Sequence, residues 1–142
     1  MNMKKILLLF LSFWVPALVV LVISYGAENS ASYDNTTTLS FYTIVARNII
    51  VIALLVITGY IHKNLSYFIF YFNAIYFSII LILSGNVGAN LIKVSKYGII
   101  EVLSLSIACY AGIEKKYSLL WISTLLIIFA GIIETLIIKG VL

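Results

Sequence analysis

Charge is the first thing this chain is short of. Only 10% of its 142 residues are Asp, Glu, Lys or Arg, against about 25% in an ordinary soluble domain. That deficit argues against a soluble enzyme, a disordered tail and a coiled coil. Cysteine occurs once, as Cys109, so no intrachain disulfide and no cysteine-based zinc site can form. Histidine also occurs once, as His62 beside Lys63 at the end of an apolar run; a metal site needs more ligands than that. Ser104, Ser106 and Ser123 have no histidine near them in sequence, and no Gly-x-Ser-x-Gly elbow exists. No glycine-rich phosphate loop is present; Gly85-Asn86-Val87-Gly88 reads only as a turn. Neither a catalytic site, a cofactor nor a metal is expected. The net charge is +4, yet the basic residues are scattered at the ends of apolar runs. No stripe follows a phosphate backbone, so nucleic acid is not an expected partner.

What remains is apolar. Hydrophobic residues make up 63% of the chain and its mean hydropathy is +1.17. One membrane span needs about 20 apolar residues, so the length allows four or five spans and no separate soluble domain. The expected fold is all-α: a single integral membrane domain over residues 1–142, built as a polytopic helix bundle. Five spans are predicted, at 6–24, 41–61, 65–84, 97–113 and 117–138. Richness in Ile, Tyr, Asn and Lys points to an AT-rich bacterial genome, and hence to a bacterial cell membrane and its lipid bilayer.

The first span follows Lys4 and Lys5, as a signal peptide would. Its apolar run of 19 residues exceeds the 7–15 of a signal h-region, so it is read as a retained span, kinked at Pro16. Residues 26–40 form the one long polar stretch. It holds Glu28 and Asp34 but no Lys or Arg, which predicts a non-cytoplasmic loop. A cytoplasmic N-terminus places Lys4, Lys5, Lys63, Lys115 and Lys116 inside, with Lys93, Lys96 and Lys139 outside. Residues 85–96 are read as a connector and 114–116 as a tight charged turn. The fourth span is near the lower length limit, which leaves open a re-entrant segment there.

Ionisable residues within spans are expensive and mark functional-site hypotheses by default. Three occur: Arg47, Glu101 and Glu134. At about 1.5 Å per residue, each lies some 6–9 Å from the same membrane face, on three different helices. They predict one intramembrane polar cluster, either an ion-pair network that fixes helix register or a polar port for a substrate, proton or partner helix. Asn48 and Asn73 are placed to hydrogen-bond across helices. Asn48, Ile52, Leu55 and Gly59 share one helical face. Ser104, Ala108 and Gly112, spaced by four, form a small-residue stripe for close helix packing, and Gly59 and Gly98 are further packing positions.

The order Asn48, Gly59, Asn73, then Tyr97-Gly98-Ile99-Ile100-Glu101, then Ala130-Gly131-Ile132-Ile133-Glu134 resembles the stage II sporulation protein M family of membrane proteins. The resemblance covers residues 43–139. The chain departs at two points: Lys96-Tyr97 stands where the family has Pro-His, and Asn73-Ala74 where it has Asn-Gly. Any chemistry of the family histidine is therefore missing here. The resemblance implies a non-enzymatic membrane subunit. The founding member is a scaffold in a peptidoglycan-remodelling sporulation complex. Short relatives are encoded beside ABC transporters in bacteriocin clusters, where export or self-immunity is inferred. A short chain such as this one is expected to act in the latter setting, with an ABC transporter subunit or as a homo-oligomer. The rival readings are a self-contained small transporter or channel, a scaffold of an envelope-remodelling complex and a membrane enzyme.

Overall fold

A computed structural model describes residues 2–25, 41–83 and 87–138. Its elements, in chain order, are α1 (Met3–Tyr25), α2 (Phe41–Ile61), α3 (Lys63–Leu83), α4 (Val87–Ile113), a one-turn 3-10 helix (Tyr117–Leu119) and α5 (Leu120–Ile138). No strand occurs among the described residues. Each of the five α-helices is long and apolar enough to cross a membrane, where only a helix or a closed barrel can satisfy the backbone. The polar stretch 26–40, Lys139 and the start of the 85–96 connector lie outside the described residues.

The elements differ from expectation mainly at their ends. α1 begins at Met3 and runs as a helix through Pro16. α3 starts at Lys63 and its described part ends at Leu83. The largest correction concerns α4. Val87–Lys96 is helical, not a connector, so this helix has 27 residues, or about 40 Å at 1.5 Å per residue. Hydropathy marks where a helix is apolar, not where it starts, and Gly88, Asn90, Lys93 and Lys96 disguised this part of the helix as loop. The fourth segment is therefore one unbroken helix, long and apolar enough to span. At the last span, the first turn is 3-10 and the α-helix starts at Leu120, because the chain is still leaving the tight turn at 114–116.

That turn has a specific cause. The Lys116 N–H bonds to the Ala111 carbonyl at 2.9 Å and the Lys115 N–H to the Gly112 carbonyl at 3.4 Å. Lys115 sits at φ 54°. This is the Schellman pattern that satisfies the last carbonyls of a helix, with lysine where glycine is usual.

α4 is the hub of the bundle. It packs against α1, α2, α3 and α5, whereas α1 touches neither α2 nor α5. Its membrane segment is 61% buried, against 12–28% for the other four. It is also the least apolar of the five, with a hydropathy of 1.3 against 1.9–2.2. The two facts belong together: a helix surrounded by protein needs small side chains rather than lipid-soluble ones. Ser104 to Gly112 are buried without interruption.

Candidate functional site: an intramembrane polar cavity

The helical repeat brings polar residues of four elements to one place. On α2, Thr43, Ile44, Arg47 and Asn48 fall on one face. On α3 the same spacing aligns Asn73, Tyr76, Phe77, Ile80 and Leu81, and on α4 it aligns Tyr97, Gly98, Glu101, Val102 and Leu105. These residues, with Phe13 of α1 and Glu134 of α5, line a cavity of about 250 Å³. All three predicted intramembrane charges, both asparagines and Gly98 therefore meet at one site. It lies in the half of the bundle that holds the start of α2 and the end of α5.

Three members of the lining, Thr43, Arg47 and Tyr76, are exposed, and so is Ile80; all four belong to α2 and α3. Val102, Leu105 and Phe13, on the opposite wall, are buried. The exposed part of the lining thus comes from α2 and α3, while the central helix contributes buried residues. Arg47 stands at the rim, its guanidinium carbon 4.8 Å from the centre of the Tyr76 ring. The Asn48 amide lies close to the Glu101 carboxyl, bringing polar groups of α2 and α4 together. Glu101 and Glu134 lie within electrostatic range of each other and of Arg47, and Tyr97 is close to both carboxylates.

The ion-pair network considered from sequence does not form. The ion pair found among the described residues is Lys5–Glu114, at the other end of the bundle. Arg47 is engaged with an aromatic face instead, and the three cavity charges are neighbours around a space. No group of three or more His, Cys, Asp or Glu side chains able to hold a metal occurs among the described residues.

Compared with protein-family models, curated proteins and solved structures, the chain matches none.

The other predicted positions serve packing. Gly59 and Gly112 face each other across α2 and α4: a Cβ on Gly59 would lie 2.8 Å from the Gly112 carbonyl carbon, and one on Gly112 2.8 Å from the Leu55 carbonyl oxygen. Ala108 is fully buried. Ser104 is not part of the same contact. Steps of four advance a helix by about 40° each, so Ser104 and Gly112 point to different neighbours. Ser104 Oγ donates to the Ser123 carbonyl at 2.7 Å, while Ser123 Oγ donates to the Ser104 carbonyl at 2.9 Å. This reciprocal pair joins α4 to α5. Sequence reasoning weighed Ser123 only as a nucleophile and Ser104 as a nucleophile or a small packing residue; it missed the pairing, since nothing local relates two residues 19 positions apart. It also missed Tyr76 as a cavity residue, although its spacing of three from Asn73 was a usable signal.

The opposite end of the bundle is tied by charge. Lys5 pairs with Glu114, and a hydrogen bond from the Lys5 ammonium holds the Glu114 carboxyl below the usual carboxylate range. The Asn2 N–H donates to Tyr110 Oη at 3.2 Å, and Lys115 lies 4.8 Å from the Tyr60 ring centre. His62 is exposed, its Nδ1 accepting the Asn64 N–H at 3.3 Å. It belongs to the α2–α3 corner and is remote in sequence from every cavity-lining residue.

Proposed function

We propose that this chain is a non-enzymatic polytopic subunit of a bacterial cell membrane, with its N-terminus cytoplasmic. It acts with a partner such as an ABC-type transporter in export of, or immunity to, a membrane-active peptide. The observation that carries this reading is the cavity: Arg47, Glu101 and Glu134 surround a space instead of closing on one another. Charges in a membrane are costly, and a purely structural cluster would gain most by pairing internally. A cluster held apart is suited to receiving a group from outside the bundle. The residue order resembling the stage II sporulation protein M family supports the non-enzymatic, partnered role.

A lone channel is less well supported. It needs a polar path through the whole membrane. Towards the other face Leu55, Phe70, Ala108, Cys109 and Ala111 are fully buried, and a second cavity there, lined by Lys5, Ser12, Tyr71, Tyr110 and Glu114 among others, shares no lining residue with the first.

The test is to recover the tagged protein from its native membrane in mild detergent and identify what accompanies it. An ATPase or permease subunit is expected. Glu101→Gln and Glu134→Gln are expected to weaken that association or peptide resistance about tenfold, equivalent to about 1.4 kcal/mol. Recovery of the protein alone, as a defined oligomer, would overturn the partnered reading. Unchanged association and resistance in both variants would remove the cavity from it.

A further inference from the structure

We propose that the cavity between α2 and α3 is a binding site for the ammonium group of a primary amine. This deepens the reading of the cavity as a receiving site and rests on it. Three observations carry the inference. The first is charge. Two carboxyl groups, Glu101 and Glu134, line the space, against one guanidinium. That guanidinium is drawn to the rim over Tyr76. Within apolar walls an entering cation stabilises these carboxyl groups as their anions, so the pair favours a cation over an anion.

The second is the wall. Tyr76, Phe77 and Tyr97 line the same space, and aromatic faces attract ammonium groups, as the Arg47 guanidinium over the Tyr76 ring shows here. A bare metal ion is a poorer match. Magnesium and calcium are held by six or more oxygens, and the described residues offer no cluster of three or more acidic, His or Cys ligands.

The third is size and access. A volume of about 250 Å³ lies just below the roughly 300–1,000 Å³ of pockets for drug-sized ligands. This suits one side chain or one small amine, not a folded segment. The exposed lining residues belong to α2 and α3, helices apolar enough to lie in a membrane, where a membrane-embedded ligand would approach. Membrane-active amphipathic peptides carry Lys and Arg on their polar face. A lysine side chain of such a peptide and a free alkylamine share the chemistry recognised here.

The experiment follows the thermal unfolding of the full chain in lipid nanodiscs with three isosteric probes: n-butylammonium, n-butanol and butyrate. Butylammonium is expected to raise the unfolding temperature with saturation, and the other two are not. Glu134→Gln is expected to reduce amine affinity at least tenfold. Arg47→Gln is expected to raise it several-fold, because the competing cation is removed. Equal protection by butanol would mean a merely apolar cavity, and protection by butyrate that Arg47→Gln abolishes would mean an anion site. Either result, or no saturable protection by butylammonium, overturns the proposal. The comparison of probes on the unmodified protein decides the matter even if a variant does not fold.

A second arm uses a lysine-bearing amphipathic peptide and its acetyl-lysine counterpart, which lacks the charge. Protection by the first alone, besides that by butylammonium, assigns the site to a peptide side chain. Protection by butylammonium with neither peptide effective assigns it to a free amine. Amine binding in a protein that recruits no partner would leave this site standing while the transporter reading falls.

Discussion

Lys115 holds a backbone conformation that side chains resist. Its φ of 54° is left-handed, and an L-residue there costs about 1–2 kcal/mol relative to glycine. The position is fixed because the Schellman bonds from Lys115 and Lys116 close α4. Lysine also places its ammonium over Tyr60, which offsets part of the strain by about 0.5–1 kcal/mol. Comparing Lys115→Gly with Lys115→Ala cancels that second contribution, since both variants lose it. Lys115→Gly is expected to be the more stable by about 1 kcal/mol, measured by denaturant unfolding in detergent. Equal stability would mean that the turn relaxes out of the left-handed region.

Among elements, the contact between α2 and α4 is set by the absence of two side chains. At Gly59 and Gly112 an added Cβ meets backbone atoms of the other helix at 2.8–2.9 Å, and backbone has nowhere to go. Gly59→Ala and Gly112→Ala are each expected to destabilise the bundle by about 1–3 kcal/mol. Their effects should be less than additive, since either substitution already forces the helices apart. Gly131 is the internal comparison. A Cβ there meets the tip of Val45, a side-chain methyl at 2.7 Å, which can shift. Gly131→Ala is therefore expected to cost less than either of the other two. A ranking with Gly131 as the most sensitive position would contradict the packing described here.

These contacts were partly legible beforehand. Gly59 was recognisable from its shared face with Asn48, Ile52 and Leu55, and Gly112 from its spacing with Ala108. Their pairing was not, because one sequence names small positions but not the helix each one meets. Ser104 shows the same limit. Its place in the four-residue spacing suggested a single stripe, whereas the 40° drift per step turns it to Ser123 on another helix.

For the molecule as a whole, the arrangement of the four other helices around α4 governs which residues lipid and solvent can reach. Cys109 lies on that central helix with no exposed surface, its sulfur 3.5 Å from Ser66 Oγ. It is expected to resist a membrane-permeant maleimide in the folded protein and to react fully after denaturation, as read by mass spectrometry. Rapid labelling of the folded protein would show that α4 is not enclosed. Leu125 and Phe129 of α5 and Leu7 and Leu11 of α1 lie instead on exposed apolar faces, as expected for helices that solvate themselves in lipid.

The number of spanning helices, their order and the common depth of Arg47, Glu101 and Glu134 follow from the sequence alone. The bilayer dictates segment length and apolarity, and alternation of spans dictates which ends share a face; both are one-dimensional constraints. Which helix is central, the full length of α4, the Ser104–Ser123 pairing and the space left among the three charges were decided only by tertiary packing. Each depends on the rotation of one helix against another. Side-chain shape across the interfaces sets that rotation, and no periodicity within a single helix records it.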